Sequence, residues 1–399
     1  METKGTRIGD CILCNPAVKL TKGKIYPVID IDKITVGKKF VTNRVVIEYD
    51  GQGGAKFENG DTLMARITPC LENGKMAQAK IEGQGLGSTE LFVFRGKEGV
   101  TDNDYVYYFL KQQYIRNLAA NSMTGASGRQ RADLKFIKKI KLNLPILDYQ
   151  RRIASILSAY DNLIENNNRR IRLLEQMAEN LYKEWFVRFR FPGHEKAEFE
   201  NGLPKGWKIE RLSNYGRVET GKTPSMEKPE YYGGNILFIK TPDMHGSIFV
   251  RQTEECLSEK GNKSQPKKLL PVGSIMVSCI GSAGVVSINA KPAHTNQQIN
   301  SIILLDKINL EWLFFTCKSL KSTIELFGAT GATMTNLSKG KFERLKVIEP
   351  SYDLRQAFHN EAAPIFDTIL KLDEQTSLLS RQRDLLLPRL MSGKLEVKE

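Results

Sequence analysis

The sequence predicts an α+β (mixed α/β) protein with a pseudo-two-fold internal repeat: two globular domains separated by two long antiparallel coiled-coil helices. Three observations carry this expectation. Thr124-Gly125-Ala126 recurs as Thr330-Gly331-Ala332, 206 residues on. A ten-step apolar seam recurs at an offset of 205. Between these lie short apolar runs of strand size, bounded by Gly, Pro, Asn and Asp.

At 399 residues the chain exceeds one ordinary core and suits two domains. Its 41% hydrophobic content is enough to fill them, and a net charge of +14 favours a polyanionic partner, nucleic acid or an anionic surface. Met1–Pro16 has no apolar signal region, and runs such as Ile302–Leu305 are far too short to span a bilayer. Six scattered cysteines form no disulfide framework, so a reducing, cytoplasmic setting without membrane is expected.

After each Thr-Gly-Ala come a basic stretch with Phe136 or Phe342, an apolar run ending at Pro145 or Pro350, and a helical segment. In the first helix Ile153, Leu157, Tyr160, Ile164, Asn167, Ile171, Leu174, Ala178, Leu181 and Trp185 step by alternating fours and threes. That 3.5-residue period is the seam of a coiled coil. Its copies are Phe358, Ala362, Ile365, Ile369, Leu372, Thr376, Leu379, Arg383, Leu386 and Leu390. Polar interruptions at Asn167, Thr376 and Arg383 fall at different steps, which lets an antiparallel pairing fix its register. A helix from Ile153 to Trp185 is roughly 50 Å long at 1.5 Å per residue, compatible with half-sites about one DNA turn apart. The expected parse is a globular domain over 1–145, a helical arm over 146–190, a linker and second domain over 191–350, and a second arm over 351–399.

Strands are expected near 45–49, 62–67, 91–94, 236–239, 274–280 and 301–305, and helices over 104–120 and 310–326. Phe191–Trp207, with Pro192, Gly193, Gly202, Pro204 and Gly206, reads as the linker. The loops concentrate residues that contact nucleic acid. Ser127, Arg129, Gln130 and Arg131 lead into Lys135, Lys138, Lys139 and Lys141, and Thr295-Asn296-Gln297-Gln298 forms a polar cluster. Arg and Lys grip phosphates; Arg, Asn and Gln also bond base edges.

Other chemistry is suggested and declined. Gly216–Thr223 fits the phosphate-loop pattern, which gives the alternative of a phosphate-loop NTPase using Lys222. Such a loop must open a helix, and Pro224 and Pro229 oppose one here. Cys11-x-x-Cys14 lacks a second ligand pair, so no metal site is expected. No H-E-x-x-H, G-x-S-x-G or Asn/Asp-Pro-Pro-Tyr run occurs, and no catalytic residue is expected. A coiled-coil assembly protein of incidental charge is the other alternative.

Several stretches together resemble the specificity (S) subunit of type I restriction-modification systems, over nearly the whole chain. They are Gly221-Lys222-Thr223-Pro224-Ser225, Tyr231–Ile236, Thr295–Ile299, Thr330–Thr333, Gln150–Ile153 and Leu181–Phe186; Ala65–Lys75 and Gly87–Leu91 are similar to one type of target recognition domain. The resemblance implies two target recognition domains, each reading half of a split DNA site, and helices that set the gap and dock two modification subunits. It implies S-adenosylmethionine on those partners, ATP and Mg on restriction subunits, and no cofactor or catalysis on this chain.

The implied DNA contacts are Arg66, Lys75, Ser127, Arg129, Gln130, Arg131, Lys222, Thr223, Ser225, Lys240, Asn296, Gln297, Gln298 and Thr333. The implied seam and docking residues are Leu157, Tyr160, Ile164, Leu174, Trp185, Phe186, Ile365, Ile369, Leu379 and Leu386. The first half lacks the Gly-Lys-Thr-Pro-Ser turn, with Lys22-Gly23-Lys24 near the corresponding place, so divergent domains and an asymmetric site are expected.

Overall fold

The computed structural model describes residues 3–42, 45–125, 129–328 and 336–397. The chain divides into two compact units, Met1–Asn168 with Gln375–Glu399, and Arg169–Glu374. Both divisions fall inside the long helices, Leu147–Tyr182 and Tyr352–Met391. Each unit therefore owns a globular part and a piece of each helix, a partition that differs from the four consecutive segments of the sequence parse. No helix among the described residues is long and apolar enough to cross a membrane.

In the first unit the central sheet contains β1 (Ile12–Cys14), β2 (Phe40–Val41), β3 (Thr62–Ala65), β4 (Met76–Ala79) and β5 (Leu91–Gly96), in the order β1-β5-β3-β4-β2. Only the β2–β4 pairing is parallel. Side chains alternate between faces, and both faces are buried. Met64, Met76, Phe92 and Phe94 enter a core with helix α1 (Asn103–Lys111), while Leu63, Ala77, Leu91 and Val93 enter a second core with Ile29 and Phe57. Asp102 caps α1 by accepting from the Tyr105 N–H at 2.9 Å.

The second unit repeats this topology. Strands β6 (Gly216–Thr220), β7 (Phe249–Val250), β8 (Ile275–Ser278), β9 (Val286–Asn289) and β10 (Ile299–Leu304) run in the order β6-β10-β8-β9-β7, with β7–β9 parallel. A closing antiparallel pair also recurs, Thr3–Arg7 with Lys141–Pro145 and Lys208–Arg211 with Lys346–Glu349. The globular halves that diverge in sequence are thus one fold.

Two expectations change. The helices expected over 104–120 and 310–326 are each broken in two. In the first unit α1 gives way to α2 (Gln113–Asn121) at Gln112, whose ψ is 135°. In the second, α3 (Leu310–Ser319) gives way to α4 (Lys321–Gly328). No Gly or Pro marks either break. What changes is burial: Tyr105–Leu110 and Glu311–Cys317 are buried all round, whereas α2 buries only Ile115 and Ala119. The stretch expected as a linker is also packed structure. Trp207 lies against Phe186, Phe189 and Phe191, and Phe199–Glu200 pairs with Leu203–Pro204.

Within each unit the helix pieces pair antiparallel. In the first, Asn167 Nδ2 donates to Gln375 Oε1 at 3.0 Å and Arg383 bonds Asp161, both of the latter almost fully buried. Tyr108 also donates to Asp161, and Arg383 reaches the Gly37 carbonyl. In the second, Tyr182, Trp185 and Phe186 close around Phe358 with ring centroids 4.9–6.4 Å apart. The seam residues Leu157, Ile164, Trp185, Phe186, Ile365 and Ile369 are buried, and Tyr160, Leu174, Leu379 and Leu386 are half-buried. The polar interruption at Arg383 is a partnered buried charge, and removing one member strands the other. Arg383→Ala is expected to destabilise the first unit by roughly 3–5 kcal/mol. Asp161→Leu with Arg383→Met should recover much of that in denaturant unfolding; equal losses in both variants would contradict the role.

Candidate nucleic-acid interface

At the end of β3 the Arg66 N–H donates to the Glu90 carbonyl at 3.0 Å, and the Ala132 N–H donates to the Arg66 carbonyl at 2.8 Å. At the end of β8 the Cys279 N–H donates to the Gln298 carbonyl at 2.7 Å, and the Leu337 N–H donates to the Cys279 carbonyl at 3.0 Å. Isolated bridges Ile67–Arg131 and Ile280–Asn336 complete the match. These bonds make Arg66 equivalent to Cys279, Glu90 to Gln298 and Arg131 to Asn336. Each unit thus builds a corner from three segments: the exit of a central strand, the entry to its neighbour, and the chain returning after the helix pair.

The first corner is charged. Arg131 grips Glu90 through Nε at 2.9 Å and Nη2 at 2.5 Å, and that hydrogen bonding holds the Glu90 carboxyl below its usual range. Gln130 is tied by its backbone to Thr68, and Thr124 pairs with Arg131. The Arg66 guanidinium lies 5.1 Å from the Phe92 ring centre, with Nε buried and without a hydrogen-bond partner among the described residues. Arg129 is exposed beside them. Lys75 is not gathered in: its amine donates to the Ile31 carbonyl at 3.1 Å. Ser127 lies outside the described residues.

The second corner is built of amides and hydroxyls. Thr223 donates to Gln297 Oε1 at 2.6 Å, while Asn296 Nδ2 (3.2 Å) and Thr241 (3.4 Å) both donate to Gln298 Oε1. The Lys222 N–H binds the Thr295 carbonyl at 2.9 Å, and its side chain is exposed. Lys240 follows the strand that pairs with Ala293–Thr295, and its amine bonds Glu255 at 2.6 Å. Ser225 is exposed further along the Lys222 turn, and Thr333 lies outside the described residues.

Beneath this corner is a support that spacing alone does not reveal. His294 is buried, with Nε2 2.9 Å from Asn262 Oδ1 and Nδ1 3.3 Å from Gln265 Nε2. Gln265 Nε2 also donates to the Lys222 carbonyl at 3.0 Å. The pattern is that of a neutral ring, and burial pushes His294 down to about 4. Glu90 was missed for a related reason: its equivalent Gln298 lies 208 residues on, so small insertions hide the match from a fixed 205-residue offset.

The segment that fits the phosphate-loop pattern is strand β6 followed by an extended turn, with only a 3-10 turn at Pro229–Tyr231. No helix opens at Lys222 to receive a phosphate, which removes the NTPase alternative. Burial pushes the Cys11 and Cys14 thiols up to about 11, so both are protonated at neutral pH. By strand register Cys14 corresponds to Val218, so the turn Gly221–Ser225 corresponds to the segment 17–21, and Lys22–Lys24 follows directly, near the corresponding place as expected. Lys22–Lys24 turns against Tyr49, whose carbonyl accepts from the Gly23 N–H at 2.8 Å.

Because His294 titrates lower in the fold than in the unfolded chain, its contribution is complete above the ordinary histidine value near 6.5. It is lost as pH falls towards about 4. Denaturant midpoints of the wild type should fall across that window, and His294→Asn should flatten the slope; an unaltered slope would exclude His294 as its source.

The type I restriction modification DNA specificity domain matches residues 11–176 and 204–381. The type I restriction enzyme HindI specificity subunit of Haemophilus influenzae is 30% identical, over 88% of this chain and 90% of its own length. The MjaIX specificity subunit of Methanocaldococcus jannaschii is 27% identical, over 76% and 71% respectively. The type I restriction-modification S subunit of M. genitalium shares the fold, with TM-score 0.60 at 15% identity over 98% of this chain and 96% of that one. The chain belongs to the type I restriction-modification specificity-subunit family, and its part is DNA recognition without catalysis.

Proposed function

We propose that the two corners are the reading heads for the two halves of one split double-stranded DNA site. The observation that carries this is that both units build the same three-segment corner and furnish it with different chemistry. Arg129 and Arg131 suit guanine edges and phosphates, whereas Asn296, Gln297 and Gln298 suit the two-bond pattern of adenine. Lys222, Thr223, Ser225 and Lys240 flank the second corner as phosphate and base contacts, and Arg66 backs the first. The half-sites then differ, and the site is asymmetric.

The reading extends to partners. Two modification subunits carrying S-adenosylmethionine methylate adenine, and restriction subunits using ATP and Mg add cleavage; this chain positions them. The seam leucines and aromatics are consumed inside each unit. The residues left to receive partner helices are the exposed ones, Leu163, Leu378 and Leu385 in the first unit and Leu173 and Met177 in the second.

Methylome sequencing of cells expressing the chain with its modification partner is expected to give one bipartite adenine motif. Arg131→Ala should relax or weaken one half of it, and Gln298→Ala the other. An uninterrupted motif, or both variants altering the same half, would overturn the assignment.

A further inference from the structure

A second feature is duplicated besides the corners. In the first unit a pocket of about 470 Å³ lies between α1, α2 and the end of the second long helix. In the second unit a pocket of about 730 Å³ lies between α3, α4 and the end of the first long helix. The strand positions and the helix offset bring the two glycine pairs, Lys111 with Lys318, and Asp384 with Glu179 into matching places on their walls. Gly37 and Gly246 stand three residues before β2 and β7, and Gly74 and Gly284 two before β4 and β9; all four have positive φ, from 74° to 86°. A Cβ at Gly74 would collide with Arg116 Nη1, and one at Gly284 with Lys321 Cγ, so each of these glycines lies under a basic side chain. Lys111 reaches Asp384 at 3.6 Å, and Lys318 reaches Glu179 at 2.6 Å.

We propose that each pocket seats the same acidic segment of a modification subunit, one copy per unit. This rests on the reading of the chain as a subunit that binds such partners. The charge balance is the argument for the occupant. With Arg383 neutralised by its buried partner Asp161, the first pocket sets Lys111 and Arg116 against Asp384. The second sets Arg172, Lys183, Lys318 and Lys321 against Glu175 and Glu179. Lys111 Nζ is buried with no hydrogen-bond partner among the described residues, a donor that an incoming carboxylate would satisfy. Burial pushes this amine down to about 8, and a further carboxylate beside it would offset the cost of keeping its charge. The pocket frame is shared while the reading corners differ. A surface built twice alike suits two copies of one partner, as a surface built twice differently suits two unlike half-sites.

The test uses the full chain with its modification subunit, read by native mass spectrometry, and the chain alone, read by duplex-DNA affinity. Arg116→Glu and Lys321→Glu, both at pocket rims, are each expected to weaken binding of one copy at least tenfold. The double variant should lose both copies, Arg116→Lys and Lys321→Arg should retain them, and DNA affinity of the free chain should stay within twofold. Full retention of both copies by the double variant overturns the pocket assignment. So does a loss confined to DNA affinity, which would make the pockets phosphate sites. A wild-type chain that binds no modification subunit overturns the proposed function itself.

Discussion

Neither globular part closes its core without help from both long helices. Ile153 and Leu157 from the start of the first long helix, with Leu387, Leu390 and Met391 from the end of the second, complete the first core. Tyr182, Trp185 and Phe186, with Phe358, Ile365 and Ile369, complete the second. Burying a large apolar side chain contributes about 1.5–3 kcal/mol, so these few residues tie each fold to the helix pieces. The corners sit on sheets that those cores hold rigid, and their geometry is inherited from the helix pairing.

The same position can satisfy that tie with different chemistry. Gln150 is wholly buried and donates to the carbonyls of Val100 and Pro145, while accepting from the Asp102 N–H. Its equivalent by the helix offset is Arg355, which bonds Asn309 at 2.7 Å and Glu349 at 2.9 Å. Both residues sew the first turn of a long helix to the strand before it and to the loop before a buried helix. The scaffold tolerates exchange as long as every buried polar group finds a partner. At the corners that latitude is larger, because the segments that carry Glu90 and Arg131, and Gln298 and Asn336, are held by backbone bonds to Arg66 and Cys279 that do not depend on the side chain. Recognition chemistry is then free to diverge on an unchanged frame.

Helical periodicity made the long helices legible, since Leu157, Ile164, Ile365 and Ile369 lie on one stripe at 3.5-residue spacing. Strand existence was legible too, as at 62–67 and 236–239, though the strands end where backbone bonds cross to other segments. The shared topology of the globular halves was not. Pairings such as Phe40 with Gln78 and Phe249 with Ile288 join distant residues, and small insertions between them erase a constant offset. The helix breaks at Gln112 and Leu320 were illegible because burial, not a breaker residue, sets them. Of the candidate site, the amide cluster and Arg131 were visible as composition. The residues that hold them, Glu90, Gln265 and His294, act through contacts across 29 to 43 residues of sequence.

The central claim is that one chain carries two unlike readers on a repeated frame. Site-specific photo-crosslinking tests it most directly, with a photoreactive residue placed at position 131 or at position 298 of the full chain. Bound to its duplex site with the modification partner, each probe should label one half-site only, and the two probes should label opposite halves across the unread spacer. Labelling of the same half by both probes, or of the spacer by either, would contradict the account.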